Sequence, residues 1–552
     1  MPAKENKGMK RQLRNRVFGL AAGTVAFGAI SACGGGGVGD AVGGAIGGAI
    51  GGGGQTIAEG GIRGTGSSVG PVSGFGSVFV NGVEFNTDAI LNRKVEGNDG
   101  ITAEGQLSEG MILRVEGNWR NDGTGTAERL SYDDTLRGRV DQVTPDPSGA
   151  GKFVTLTVMG QSVRVDRQTV VRGTTFTALL GGGPVTDHVR VSAWRQADGS
   201  YRAGYIETID LTDIEPDKRD ELEGSVTAVA TGQKQFTIGT ITVEYDENSF
   251  SSGLTEADLK TGTVLEVEGQ LTGNLLKSVT IDRDDARRFR RNSSDDTEFT
   301  ATIDLPFTAS GAGTGEFRVG GLTVRVTETT ILGGNITLTD LAEEGLLVQV
   351  EGTFLSDTVV QAEEITLREA NAKVEGVIGR IDSATGPFEV GGVRVKMTPL
   401  TILTRDDDNA QASVDLVPGT QVEVEGIEKT DKTDALDVYI EALKVEVEDQ
   451  GDGGENNQFE LEGRLRSITD SPGSISILGV QMDDSGAKYD SENENAADEN
   501  TARGTIVEAF FKSTEAVMLE VEYVSSNSST GAFTATEIEL QEKDDDNGND
   551  GN

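Results

Sequence analysis

The sequence predicts an all-β protein: tandem small antiparallel β-barrel or sandwich domains, set as beads on a string behind an N-terminal signal and a Gly-rich tether. Three observations carry this. A short alternating phrase closing on glycine recurs at Leu113-Arg114-Val115-Glu116-Gly117, Leu265-Glu266-Val267-Glu268-Gly269, Val348-Gln349-Val350-Glu351-Gly352 and Val422-Glu423-Val424-Glu425-Gly426. A hairpin pattern recurs beside it, as in Phe317-Arg318-Val319-Gly320-Gly321-Leu322-Thr323-Val324. Finally, 76 glycines in 552 residues, with 35% hydrophobic and 5% aromatic content, suit many turns around several small cores better than one large core.

Residues 1–32 come first. Lys7, Lys10, Arg11, Arg14 and Arg16 form a basic region, and Val17 to Ile30 an apolar stretch too short to span a bilayer as a permanent helix. Small residues at Ser31 and Ala32 then precede Cys33, the only cysteine. This arrangement resembles a bacterial lipoprotein signal with its processing box, which implies cleavage before Cys33 and lipid attachment to its thiol. Several acyl chains hold a protein firmly to a membrane where one holds it marginally. Gly34, rather than aspartate, follows the cysteine, and by the same resemblance this implies the outer membrane of the cell envelope. With its one thiol consumed by lipid, the chain has no intrachain disulfide and relies on packing, repetition or bound ions.

The segment 33–70 reads as a flexible tether, glycine-dominated from Gly34 to Gly54. Gly39, Gly43, Gly47 and Gly51 stand four apart, the spacing of a glycine zipper in lipid, but each glycine costs a helix about 1 kcal/mol against alanine.

Six repeats follow, at 71–132, 134–212, 220–283, 298–368, 372–447 and 458–541, with a charged linker at 284–297, an acidic one at 449–457 and an acidic tail at 542–552. Each opens on a glycine-containing phrase such as Leu222-Glu223-Gly224, Val374-Glu375-Gly376 or Leu461-Glu462-Gly463, with Leu136-Arg137-Gly138 a looser copy. A hairpin comes next; Asn81-Gly82 in the first repeat is a strong two-residue turn signal. In the second repeat Val189-Arg190-Val191-Ser192-Ala193 stands where the glutamate phrase is expected. Period-two alternation places Val, Ile and Phe on one face and Thr, Arg and Glu on the other, predicting sheets buried on one side with an outward charged surface. Gly117, Gly269, Gly352 and Gly426 are expected at structural turns with positive φ, or at a close strand crossing where a Cβ would collide. Closure of each unit into a barrel would remove exposed edges.

On these phrases the repeats resemble the bacterial repeat domain known as domain of unknown function 5666, in which the same opening strand, hairpin and Val-Glu phrase recur. The resemblance implies an exported or lipid-anchored protein and carries over no catalytic or ligand residue.

The chemistry is sparse. Cleavage removes six basic residues and one acidic, so 48 and 91 become 42 Lys and Arg against 90 Asp and Glu, a balance that repels phosphate backbones and argues against nucleic acid as a partner. His188, the lone histidine, is expected in a surface loop and has no companion for a zinc site or a catalytic triad. Paired carboxylates recur with the repeats, whereas catalytic acids occur once per pocket, so no enzyme is expected. No cofactor is expected; calcium is the one ion whose chemistry suits the acidic runs Asp406 to Asn409, Asp449 to Asn457, Asp490 to Asn500 and Asp544 to Asn552, and none has EF-hand spacing. The expected function is display of repeated β-domains from the membrane, for an envelope partner or as a spacer. The alternative, a polysaccharide-binding or adhesive module, rests on Trp119 and Trp194 as glycan contacts.

Overall fold

The computed structural model describes residues 64–541, except 98–99, 121, 148–150, 183–187, 211, 213, 215–217, 252, 284–295, 334–335, 382–386, 406–415, 431–437, 449–457, 471–472, 491–498, 513–515 and 528–531. The signal, Cys33 and the glycine run lie outside these residues.

The third unit has the plainest form. Asp220–Ala230 is the opening strand, Gln235–Ile238 and Ile241–Glu244 are the hairpin, and Val264–Thr272 and Leu275–Arg283 are the closing pair. The first half of the opening strand pairs with the first closing strand, and its second half with the hairpin. The hairpin's second strand then lies parallel to the last strand and shuts the barrel. This order, one-two-three-five-four and back to one, is the OB-fold arrangement of a five-stranded Greek-key barrel. All six units have it. The apolar alternation fills the barrels: Phe236, Ile238, Ile241, Val243, Leu265 and Val267 are all buried. Helices Phe176–Leu180 and Glu499–Lys512 lie between hairpin and closing pair in the second and sixth units.

The hairpin turns are tight. In five units both turn residues have positive φ: Asn81-Gly82, Met159-Gly160, Gly320-Gly321, Gly391-Gly392 and Leu478-Gly479. Such turns match the strand twist and favour Asn and Gly. Met159 and Leu478 adopt this conformation with buried side chains, each lying over the glycine of its own opening phrase, Gly138 or Gly463. That glycine leaves room for the turn residue above it.

The tandem small-barrel class is therefore what the chain adopts, but the units do not hang apart as beads. Because the hairpin pairs only with the second half of the opening strand, one edge of the first half is left over in every barrel. These edges pair two by two: Glu221 with Arg137 joins the second and third units, Lys373 with Glu462 the fifth and sixth. The first and fourth units join through a parallel register, Gly66 with Asp296 to Val69 with Phe299. Three continuous sheets of 12, 11 and 12 strands result. The first opening strand begins at Gly64, inside the segment expected as tether, and the fourth at Asp296, inside the expected linker. Charged linkers report on the chain between barrels and are silent about strand edges.

The pairs also touch one another. Ser73 Oγ donates to the Pro399 carbonyl at 2.7 Å, Trp194 Nε1 to the Thr300 carbonyl at 2.9 Å, and Arg167 bonds Glu462 at 2.9 Å. The second unit, between the other two pairs, makes two of these three contacts.

Candidate functional site

The most chemically distinctive features are the charged layers where paired barrels meet back to back. The expectation of an outward glutamate surface is corrected here. Valines of each phrase enter the barrel as predicted, but pairing of the opening strands turns the glutamate face onto a neighbouring barrel rather than onto water.

Between the second and third units, Arg137 is the centre. Its guanidinium lies 2.6 Å from Asp134, 3.0 Å from Glu221 and 3.4 Å from Glu268, all with almost no solvent exposure, and donates to the Lys218 carbonyl at 2.9 Å. Arg190 adds a 2.9 Å bond to Asp134, and Tyr132 donates its hydroxyl to the same carboxylate. A buried charge network of this kind is costly to break because removing one partner strands the rest.

Between the fifth and sixth units, Lys373 lies 2.9 Å from Glu460, 3.4 Å from Glu423 and 3.5 Å from Glu375. Arg167 enters from the second unit to Glu462, with Glu425 at 3.9 Å. Acid outnumbers base in this layer. Burial, with Glu423 adding to it against the pull of Arg167, pushes the Glu425 carboxyl up to about 8. Burial and Glu460 push Glu520 up to about 7. Burial also tends to raise Glu423 and Glu460, but Lys373 and Arg167 outweigh it and hold both below the ordinary carboxylate value. One oxygen each of Glu375, Glu423 and Glu448 lies within 4.8 Å of the others. Lys373 already sits against two of these three, so the group reads as one edge of the ion-pair layer.

The layer between the first and fourth units is mostly uncharged. Gln349 donates to Glu298 at 2.5 Å and to the Asn81 carbonyl, Asn81 donates to Ser68, and Thr300 donates to Asn81. Glu298 stands directly opposite Glu351. Burial first, then that facing carboxylate, raises the Glu298 carboxyl well above its ordinary value.

The four phrase glycines lie within strands, not at turns, and none has positive φ. The close-crossing form of the expectation describes them instead. Each sits at a register shift against the last strand, and a Cβ would stand 2.2 Å from the Thr126 carbonyl oxygen at Gly117, 2.0 Å from that of Lys277 at Gly269, 2.3 Å from that of Gln361 at Gly352 and 2.4 Å from that of Glu441 at Gly426. Ala193 and Tyr523 hold the same place in the second and sixth units, also at a shift.

Both tryptophans are buried, which corrects their reading as glycan contacts. Trp119 packs edge-on to Phe85 at 5.9 Å, and Trp194 joins the apolar core of the fourth unit. An indole packed in this way offers no face for a sugar. His188 begins the strand His188–Arg195 rather than occupying a surface loop, with Nε2 3.9 Å from Asp220. Asp406 to Asn409 and Asp449 to Asn457 lie outside the described residues, as do 491–498 and 542–552. Sequence reasoning missed Arg137, Lys373 and Arg167. Arg137 had a signal, since a base replaces the glutamate of the opening phrase in one copy beside acidic neighbours.

The fold thus defines a class: a tandem array of OB-like barrels, paired through their opening strands. The family model described as Domain of unknown function (DUF5666) matches residues 67–131, 137–207, 223–276, 308–366 and 375–436, more than half of the chain, and the chain belongs to that family. The sixth unit, beyond those matches, has the same barrel topology. No curated protein matches the chain. Among solved structures, a Drosophila Unr fragment described as CSD456 is 13% identical, covers 46% of this chain and 100% of its own, and has a TM-score of 0.16. A multidomain protein with nucleic acid binding domains from Streptococcus pneumoniae is 13% identical, covers 42% of this chain and 72% of its own, and has a TM-score of 0.13. Likeness at that level carries no argument about what this chain binds.

Proposed function

We propose that the chain is a non-enzymatic, lipid-anchored protein of the cell envelope, held through Cys33, that displays its barrels to an envelope partner. The observation that supports the non-enzymatic reading best is where the recurrent carboxylates stand. Glu268 and Glu423 are ion-paired to Arg137 and Lys373 between barrels, which occupies the paired acids that a hydrolase would need free in a cleft. The anchor reading rests on the basic region, the short apolar stretch and the Ser31-Ala32-Cys33 sequence. The net charge of −43 favours partners with basic surfaces over nucleic acid.

Cys33→Ala tests the anchor. Labelling with a palmitate analogue followed by fractionation is expected to show loss of label and release of the chain from membranes. Equal membrane retention of the unlabelled variant contradicts the anchor. A pull-down from intact envelopes with the barrel region as bait then addresses display, and retention of no envelope component above background would leave the spacer form.

A further inference from the structure

Where the first, second, fourth and fifth units converge, the chain forms a small, partly open cavity of about 30 Å³. Three cationic side chains reach it: Arg202, Arg368 and Lys444. Two are matched. Arg202 bonds Asp166 at 2.8 Å and Glu369 at 2.5 Å, while Lys444 donates to the carbonyls of Arg167 and Thr169 at 3.0 Å each and pairs with Glu446 at 3.1 Å.

Arg368 is different. The residue is 7% exposed and follows the last strand of the fourth unit, where its backbone N–H is fixed to the Leu347 carbonyl at 2.8 Å. Among the described residues its guanidinium makes one long contact, Nη2 to the Leu400 carbonyl at 3.5 Å. Burial lowers it to about 10, and Glu441 and Glu298 offset that only in part, so it keeps its charge at neutral pH. Glu298 faces Glu351 and is itself disposed to hold a proton, which weakens it as a counter-charge.

The other polar groups around the cavity are engaged. Trp194 donates to Thr300, the Thr300 hydroxyl donates to Asn81, and Gln168 accepts from Arg202 and donates to the Arg368 carbonyl. A water molecule would supply hydrogen bonds there but no charge, and a buried charge that nearby carboxylates offset only in part is unfavourable. The volume admits one or two water-sized bodies, which suits a halide better than a tetrahedral oxyanion.

We propose that this cavity is a binding site for a small monovalent anion of halide size, with the Arg368 guanidinium as its counter-charge and the junction of four barrels as its wall. A bound halide would tie barrels of all three sheets together, and so would act as a structural ion of the array.

Crystals of the barrel array soaked in sodium bromide test this without any variant: an anomalous peak beside Arg368 is expected, and a cavity with no anomalous signal overturns the proposal. In solution, the melting temperature is expected to be higher in sodium chloride than in sodium gluconate at equal ionic strength and neutral pH. Arg368→Gln is expected to abolish that difference. A chloride-dependent shift of equal size in Arg368→Gln would also overturn the assignment, because the ion would then be acting elsewhere.

Discussion

Gly269 shows how one missing methyl sets the register of a barrel. A Cβ there would stand 2.0 Å from the Lys277 carbonyl oxygen, so the last strand has to retreat before any side chain fits. Ala193 and Tyr523 prove that retreat feasible elsewhere in the chain, so the effect of a substitution is overpacking, not prohibition. Gly269→Val is expected to destabilise the third unit by about 1–3 kcal/mol. Thr242→Val, half-buried on the neighbouring hairpin, is expected to change stability little or raise it slightly through strand propensity. Denaturant melts of the two variants read the contrast, and equal midpoints would make the glycine incidental. Glu425 carries a prediction about pH. Its carboxyl is raised to about 8 and that of Glu520 to about 7, so the folded chain binds these protons more tightly than the unfolded chain. Their effect is to lower stability as pH rises from the ordinary carboxylate range toward 8. Glu423 and Glu460 act in the opposite sense, but their contribution is lost only on acidification below that range. Glu425→Gln is therefore expected to flatten the fall in melting temperature between about pH 5 and pH 8. An unchanged slope would remove Glu425 from the account.

At the scale of elements, the decisive feature is the first half of each opening strand, whose spare edge is covered by another barrel. Residues 220–283 contain every strand of one barrel, yet alone they expose the Glu221 and Leu222 edge and lose Arg137 as partner to Glu221 and Glu268. The two-unit segment 134–283 is accordingly expected to melt as one cooperative transition at a higher temperature than 220–283. Equal melting temperatures would mean that the shared sheet adds nothing. Much of this was legible in the sequence. The Val-x-Val alternation marks the barrel interior, and Asn81-Gly82 marks a tight hairpin, because both are local signals. The facing of the glutamates was not legible: alternation says which residues share a face but not what that face meets. The phrase glycines stand at close crossings and not at turns, because Glu-Gly reads as a strand end although the strand runs on to Thr272. Trp194 looked like a binding aromatic because its partner, Thr300, lies 106 residues away in the sequence.

In the whole molecule the six barrels form three back-to-back pairs, and the second unit packs against both of the pairs to which it does not belong. Arg167 and Trp194 reach from that unit into two different pairs. Among the described residues each opening strand has its spare edge paired with another barrel, which gives the divergent sixth barrel a structural task in covering the fifth. The two tryptophans provide the most direct test. Trp119→Phe leaves Trp194 as the sole indole, 7% exposed and bonded to the Thr300 carbonyl of the fourth unit. In the intact barrel array its fluorescence is expected to be blue-shifted and shielded from acrylamide, and in the segment 134–283, which lacks the fourth unit, red-shifted and readily quenched. Water-exposed emission with the same quenching in both would mean that the barrels hang apart, and would contradict the paired, wedged assembly.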